Sequence, residues 1–167
     1  MFTTVQSFLT GYGQESATTQ QLLDALSDAS LQQPQAEGYR PLGFIAWHLV
    51  HNDRGMLLGA GLKFEAPSAA ATPPKQAAAI ADAYRATTKG ILEAVRTQLT
   101  DAKLQEQVNM FGQQWTIGET LFAYLKHEIH HRGQLTILMR QAGVPVIGAY
   151  GPAKEQWASI GMPIPAI

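Results

Sequence analysis

Apolar residues recur along this chain at three- and four-residue steps in four long stretches, the period of a helix with one face on a core. The first covers residues 2 to about 27, with Val5, Phe8, Leu9, Tyr12, Leu22, Leu23 and Leu26 on its stripe. Gly11 and Gly13 interrupt it, and close contact with a neighbouring helix is the expected reason for them. The second stretch begins near Leu42 or Gly43 and continues to about Leu62. In the third, Thr72 and Pro73 suit a cap and a first helical position, and Ile80, Tyr84, Thr87, Ile91, Val95 and Leu99 form the stripe. The fourth runs from Thr116 to Gly143. Thr116 and Glu119 have the spacing of a capping box, and Arg140, Gly143 and Pro145 mark the exit.

The connections differ in character. Pro34, Gly38 and Pro41 make residues 28 to 41 a loop with a short turn at Ala29 to Gln32, and Tyr39 and Arg40 in it are candidates for a pocket rim. Ala66 to Pro74 is an interhelical loop. Thr100 to Trp115 is longer, polar and broken by Gly112, which suits either a small hairpin around Val108 to Trp115 or an irregular crossover. Trp115 either packs over the end of the bundle or closes a pocket. After Gly143 the tail holds Val144, Val146, Ile147, Tyr150 and Trp157, too apolar a set to be left in water. It should pack on the bundle or a partner, with a short helical turn around Ala153 to Ser159. The pattern predicts an all-α fold: one domain over residues 1–167, a four-helix bundle with a long third crossover and a packed C-terminal tail.

Candidate chemistry sits on the second and fourth helices. Successive helical residues turn by about 100°, so His127, His131 and Gln134 share a narrow sector and two imidazoles can point into one space. Two ligands rarely make a useful metal site. His48, amid the apolar Trp47, Leu49 and Val50, is the first candidate for a third, leaving a coordination position open for water or substrate. His51 and Asn52 lie one turn beyond His48, and Asp53 is a candidate to back it with a carboxylate. Buried histidines that merely hydrogen-bond in a core are the competing explanation, weakened here by the spacing.

At these residues the chain resembles the DinB/YfiT-like four-helix-bundle metalloproteins. The resemblance lies in His48 near the start of the second long helix and in His127-Glu-Ile-His-His131-Arg132-Gly133-Gln134. It extends to Leu138-Met-Arg140-Gln-Ala-Gly143-Val-Pro145 and Tyr150-Gly151-Pro152. It implies the DinB/YfiT-like bundle fold, a divalent metal, commonly zinc or nickel, on the three matching histidines, and an activity like that of thiol-dependent transferases and isomerases. Homodimerisation also has precedent in that family.

Composition narrows the partners. Twelve basic against thirteen acidic residues in 167 give a net charge of −1, which offers no broad cationic surface for a phosphate backbone, so nucleic acid is not an expected partner. No stretch reaches 18 consecutive apolar residues and the first residues do not resemble a secretory signal, so no membrane span is expected and the cytoplasm is the expected location. The chain has no cysteine, so any thiol chemistry needs an external thiol.

The sequence therefore predicts a divalent-metal-dependent enzyme acting on a small-molecule substrate, in the first instance a transferase using an external low-molecular-weight thiol. Gln134 can orient a ligand, and His51 and His130 are candidates for moving a proton, although both have surface exposure as an alternative. His127-Glu128-Ile129-His130-His131 also matches His-Glu-x-x-His, where the glutamate is a general base, so a metal-dependent hydrolase using Glu128 is the second expectation. Against it, a glutamate at that position is commonly a solvated side chain, and no further histidine follows His131. A noncatalytic metal-binding protein is the third.

Overall fold

The first helix, α1, is started by Thr4, whose hydroxyl accepts from the Ser7 amide, and runs over Val5–Asp24. We describe it from a computed structural model of the chain, and the description takes in every residue except Asp53, Ala69, Ala70, Ala71 and Ile167. Four further helices follow: α2 at Leu42–His51, α3 at Arg54–Gly59, α4 at Ala77–Gln98 and α5 at Ile117–Gln141. Between α4 and α5 lies an antiparallel hairpin of β1 at Gln107–Met110 and β2 at Gln113–Thr116. The fold is thus a helical bundle in which the crossover carries a small two-stranded sheet.

The expected second helix is broken in two. Asn52 ends α2 in the left-handed conformation, with φ 31°, while its amide still bonds to His48 O at 2.7 Å. Asparagine tolerates that conformation better than most residues. Its side chain is held as well, with Nδ2 3.3 Å from Glu128 Oε2. The chain turns there and resumes as α3, burying Met56 and Leu57. Asp53 lies outside the described residues.

Other boundaries moved for local reasons. α4 begins at Ala77 rather than after Thr72, because Asp28 from a distant loop caps it, its carboxylate accepting from the Ala77 amide at 2.8 Å. The expected stripe on α4 from Ile80 to Leu99 is buried throughout. A Cβ at Gly13 would meet nothing within 4 Å and one at Gly11 would only touch the Phe2 ring, so neither marks the close helix contact that was expected. The hairpin turns at Phe111 and Gly112, both with positive φ, and Asn109 Oδ1 accepts from the Gly112 amide. Trp115 packs edge-on against Phe111 and rests on the apolar cluster that holds Phe8, Leu121 and Tyr124.

Both arms of the capping box on α5 form. Glu119 N donates to Thr116 Oγ1 at 3.1 Å and Thr116 N donates to Glu119 Oε2 at 2.8 Å. Gly118, between these two residues, has no room for a side chain, since a Cβ would collide with the Phe2 carbonyl oxygen and crowd Leu104 O at 3.3 Å. Gly118→Ala should therefore displace the N-terminal strand of chain and destabilise the protein by about 1–3 kcal/mol, the usual range for overpacking. Urea denaturation would show it as a lower midpoint with an unchanged slope.

The interior has two apolar cores with a polar layer between them. One core gathers Leu22, Leu23, the apolar face of α2, the start of α4 and Leu135, Leu138 and Met139. The other gathers Phe8, Tyr12, Met56, Leu57, Ile91, Val95, Leu121 and Tyr124. On each helix buried polar residues fall in sequence between these two sets: Ser16 and Thr19 on α1, His51 and Asn52 at the end of α2, Thr87 on α4, Glu128 and Arg132 on α5; Thr120, inside the second set, instead donates to the Thr116 carbonyl. Within this layer Glu128 bonds to Thr19, Tyr84 and Asn52 and Arg132 bonds to Glu15, which ties the helices together, while the side chains of His51 and Thr87 make no hydrogen bond among the described residues.

The tail packs in its first half. Val146 is buried and Val144 and Ile147 rest on the first core, while Ile160, Met162 and Ile164 are each about half exposed. The expected helical turn is present as two short tight turns, Lys154–Gln156 and Ala158–Ile160.

Candidate metal centre

Three imidazoles meet at the edge of the polar layer. α5 presents His127 and His131 one turn apart, and α2, packed against it, brings His48. His48 Nε2 lies 3.3 Å from His127 Nε2, and His127 Nε2 lies 2.6 Å from His131 Nε2. One nitrogen from each ring falls within 4.8 Å of the others, and all three residues are half-buried.

Two nitrogens bound to one tetrahedral zinc at about 2.0–2.1 Å stand about 3.3–3.4 Å apart. The first pair already has that spacing, and the second needs to open by ~0.7 Å, which rotation about the side-chain bonds supplies. The donor set fits a divalent metal ion.

The tautomer of His131 is set by its other nitrogen. Its Nδ1 is 2.8 Å from Gln134 Oε1, and Gln134 Nε2 is 3.3 Å from His130 Nε2. With the amide oriented that way, Nδ1 of His131 carries the proton and donates, which leaves the Nε2 lone pair facing the other two rings. Burial first, and then the neighbouring rings and Arg40, push the His48 pKa down to about 4. His131 is lowered as well, chiefly by burial. Both effects keep the imidazoles neutral, the form that ligates a metal.

A depressed histidine pKa stabilises the folded state above the unfolded pKa near 6.5, and that stability is lost as the pH falls through the folded value. Chelator-treated protein should accordingly lose stability between pH 6.5 and about 4, and the loss should be smaller in His48→Gln. Urea midpoints at pH 7 and pH 4.5 for the two proteins make the comparison.

Glu128 belongs to the layer, not to the solvent. It is fully buried, and its carboxylate accepts from Tyr84 Oη at 2.5 Å, Thr19 Oγ1 at 2.9 Å and Asn52 Nδ2 at 3.3 Å. Burial raises its pKa to about 7, against the lowering effect of the Tyr84 and Thr19 bonds. The carboxylate thereby links α5 to α1, α4 and the end of α2, the helix that carries His48. No bond joins it to a histidine among the described residues.

The remaining candidates separate. His51 is buried rather than exposed, its ring edge-on to Trp47 at 4.9 Å, with neither nitrogen hydrogen-bonded among the described residues. His130 is exposed and touches the site only through Gln134 and the edge of the His131 ring. The partners of Glu128 on α1 and α4 carried no sequence signal, since Tyr84 reads as an ordinary stripe position and Thr19 falls outside the apolar stripe of α1. Arg132 and Tyr150 lie in the stretches that carry the family resemblance, but nothing in their spacing pairs them with Glu15.

The family model described as the DinB family matches residues 1–165. An uncharacterised protein of Bacillus subtilis strain 168, YrdA, is 43% identical over 165 residues, 99% of each chain. The crystal structure of a DinB-like protein from Bacillus cereus ATCC 10987 superposes with a TM-score of 0.86 at 40% identity, covering 90% of this chain and 100% of that one. A second DinB-like protein, YjoA from Bacillus subtilis, has a TM-score of 0.64 at 19% identity, covering 88% of this chain and 99% of that one, and shows a shared fold. Among the described residues no helix is long and apolar enough to cross a membrane.

Proposed function

The chain belongs to the DinB family, and from that premise we propose that it is a divalent-metal-dependent transferase in which His48, His127 and His131 hold zinc or nickel and an external thiol attacks a small electrophile. The observation that carries this reading is the convergence of three Nε2 atoms from two helices, with the His131 lone pair aimed inward by Gln134. A divalent ion on three neutral ligands supplies uncompensated positive charge, which favours the thiolate form of a thiol at neutral pH.

The chain's own residues hold and orient. Gln134 fixes His131, and the packing of α2 on α5 fixes His48 against both other rings. In the transfer the thiol gives up its S–H proton and sulfur donates a pair to the electrophilic carbon. The pair displaced there leaves with the departing group, which takes up a proton. His130, exposed beside His131, is the imidazole able to exchange that proton with solvent. No nucleophile from the protein is needed, in keeping with the absence of cysteine.

Support for transfer over hydrolysis comes from Glu128. A general base must reach the proton it removes, and this carboxylate is enclosed by Thr19, Tyr84 and Asn52. The test is a paired panel on metal-loaded protein: low-molecular-weight thiols with alkylating electrophiles, and separately simple esters, amides and peptides. Thiol-dependent product that vanishes in His127→Ala is the expected result. Hydrolysis lost in Glu128→Gln with metal retained would replace this reading with a hydrolase. No metal-dependent turnover on either panel would leave a noncatalytic metal-binding protein.

A further inference from the structure

Arg40 stands just before α2, and its guanidinium carbon lies 4.6 Å from the centroid of the Phe44 ring. Phe44 is four residues ahead of His48, so the two lie on one face of α2, a turn apart. The cation is thereby carried along the helix surface from which His48 projects. Arg40 therefore stands at the N-terminal end of the α2 face that carries His48.

The other five arginines are all engaged. Arg85, Arg96, Arg132 and Arg140 pair with carboxylates, and Arg54 donates to the carbonyls of Ala66 and Pro67. Arg40 is exposed and has neither kind of partner among the described residues. Three neutral ligands around a divalent ion, with a guanidinium alongside, leave positive charge that a single thiolate does not balance. A planar fork of N–H donors is also the shape that grips a carboxylate through two parallel bonds.

We propose that Arg40 binds the carboxylate of the thiol that enters the three-histidine site, so that the ligand class is a small mercapto acid rather than a neutral thiol. This rests on the metal reading above. Phe44 holds the guanidinium flat by its ring, and the carboxylate pairs with the outward edge while the sulfur reaches the histidines.

The experiment measures binding, not turnover. The metal-loaded protein and Arg40→Gln are titrated calorimetrically with 3-mercaptopropionate and with its neutral amide, after the metal content of each protein has been determined. The expected result is one metal per chain in both proteins, a preference of about 10-fold for the acid in the unaltered protein, and loss of that preference in Arg40→Gln. Arg40→Lys should restore it in part, keeping the charge without the fork. Metal in both proteins with an acid preference that is absent, or unchanged by Arg40→Gln, would overturn the role of Arg40 and leave the metal site standing. Failure of the unaltered protein to hold metal would overturn both.

Discussion

Arg132→Ala should lower the melting temperature by about 6–12 °C, the shift that ~3 kcal/mol produces in a chain of this size. Arg132 is nearly enclosed: its side chain is 3% exposed, and it donates to the Glu15 carbonyl at 2.9 Å, to Glu15 Oε2 at 2.5 Å and to Tyr150 Oη at 2.8 Å. Tyr150 donates in turn to the same carboxylate at 2.8 Å, which ties the tail to α1 and α5 together. Removing the guanidinium takes the ion pair from the Glu15 carboxylate, which keeps the Tyr150 hydroxyl, and leaves the Glu15 carbonyl to the Thr19 hydroxyl. The Glu15 side chain is 18% exposed and can regain some water, so the loss sits at the low end of the 3–5 kcal/mol typical of broken buried pairs. Arg132→Lys should fall between, since an ammonium keeps the charge but cannot serve all three acceptors. Thermal denaturation followed by circular dichroism measures all three proteins, and a shift for Arg132→Ala of under 2 °C would show that this clamp does not hold the bundle.

The second large effect concerns the metal. Removing one of three ligands should weaken affinity by about 60–700-fold, because four-ligand zinc sites hold their ion with ~10–16 kcal/mol, or ~2.5–4 kcal/mol for each ligand. His127→Ala tests this most sharply, since its Nε2 lies between those of His48 and His131. The ring is only half-buried, so the fold should survive. His130→Ala is the matched control: it removes an adjacent imidazole whose ring is exposed, and its affinity should stay that of the unaltered protein. Competition against a chromophoric chelator reads both. Equal losses in the two variants would mean that the adjacent histidines act as a diffuse cluster rather than as defined ligands.

Periodicity made most of this architecture legible, and the exceptions are instructive. The stripe from Ile80 to Leu99 and the Thr116 capping box are local patterns, and each appears where local physics puts it. The break at Asn52 was not visible, because the apolar period continues through Met56 and Leu57 and only a long-range bond to Glu128 shows why the chain turns there. The start of α4 was misplaced for the same kind of reason. Thr72 and Pro73 look like a start, but the cap comes from Asp28, 49 residues away in sequence.

The site divides in the same manner. The spacing of His127, His131 and Gln134 on one helix face is a matter of angles and could be read directly. That His48 would meet them depends on the packing of two helices, and here the resemblance to a known family pointed to the same residue. Glu128 shows what spacing leaves out. Its place in a His-Glu-x-x-His pattern suggested a base, and the angle between neighbours on a helix is what carries it away from the histidine sector and into Thr19, Tyr84 and Asn52.

The account turns on one ion shared by imidazoles from α2 and α5. Anomalous diffraction from crystals of protein purified without chelator, recorded at the absorption edge of whichever metal elemental analysis finds, tests that directly. The predicted result is a single peak about 2.0–2.2 Å from the Nε2 atoms of His48, His127 and His131. A peak elsewhere, or metal-supplied crystals in which the three rings bond to one another around no ion, would contradict it.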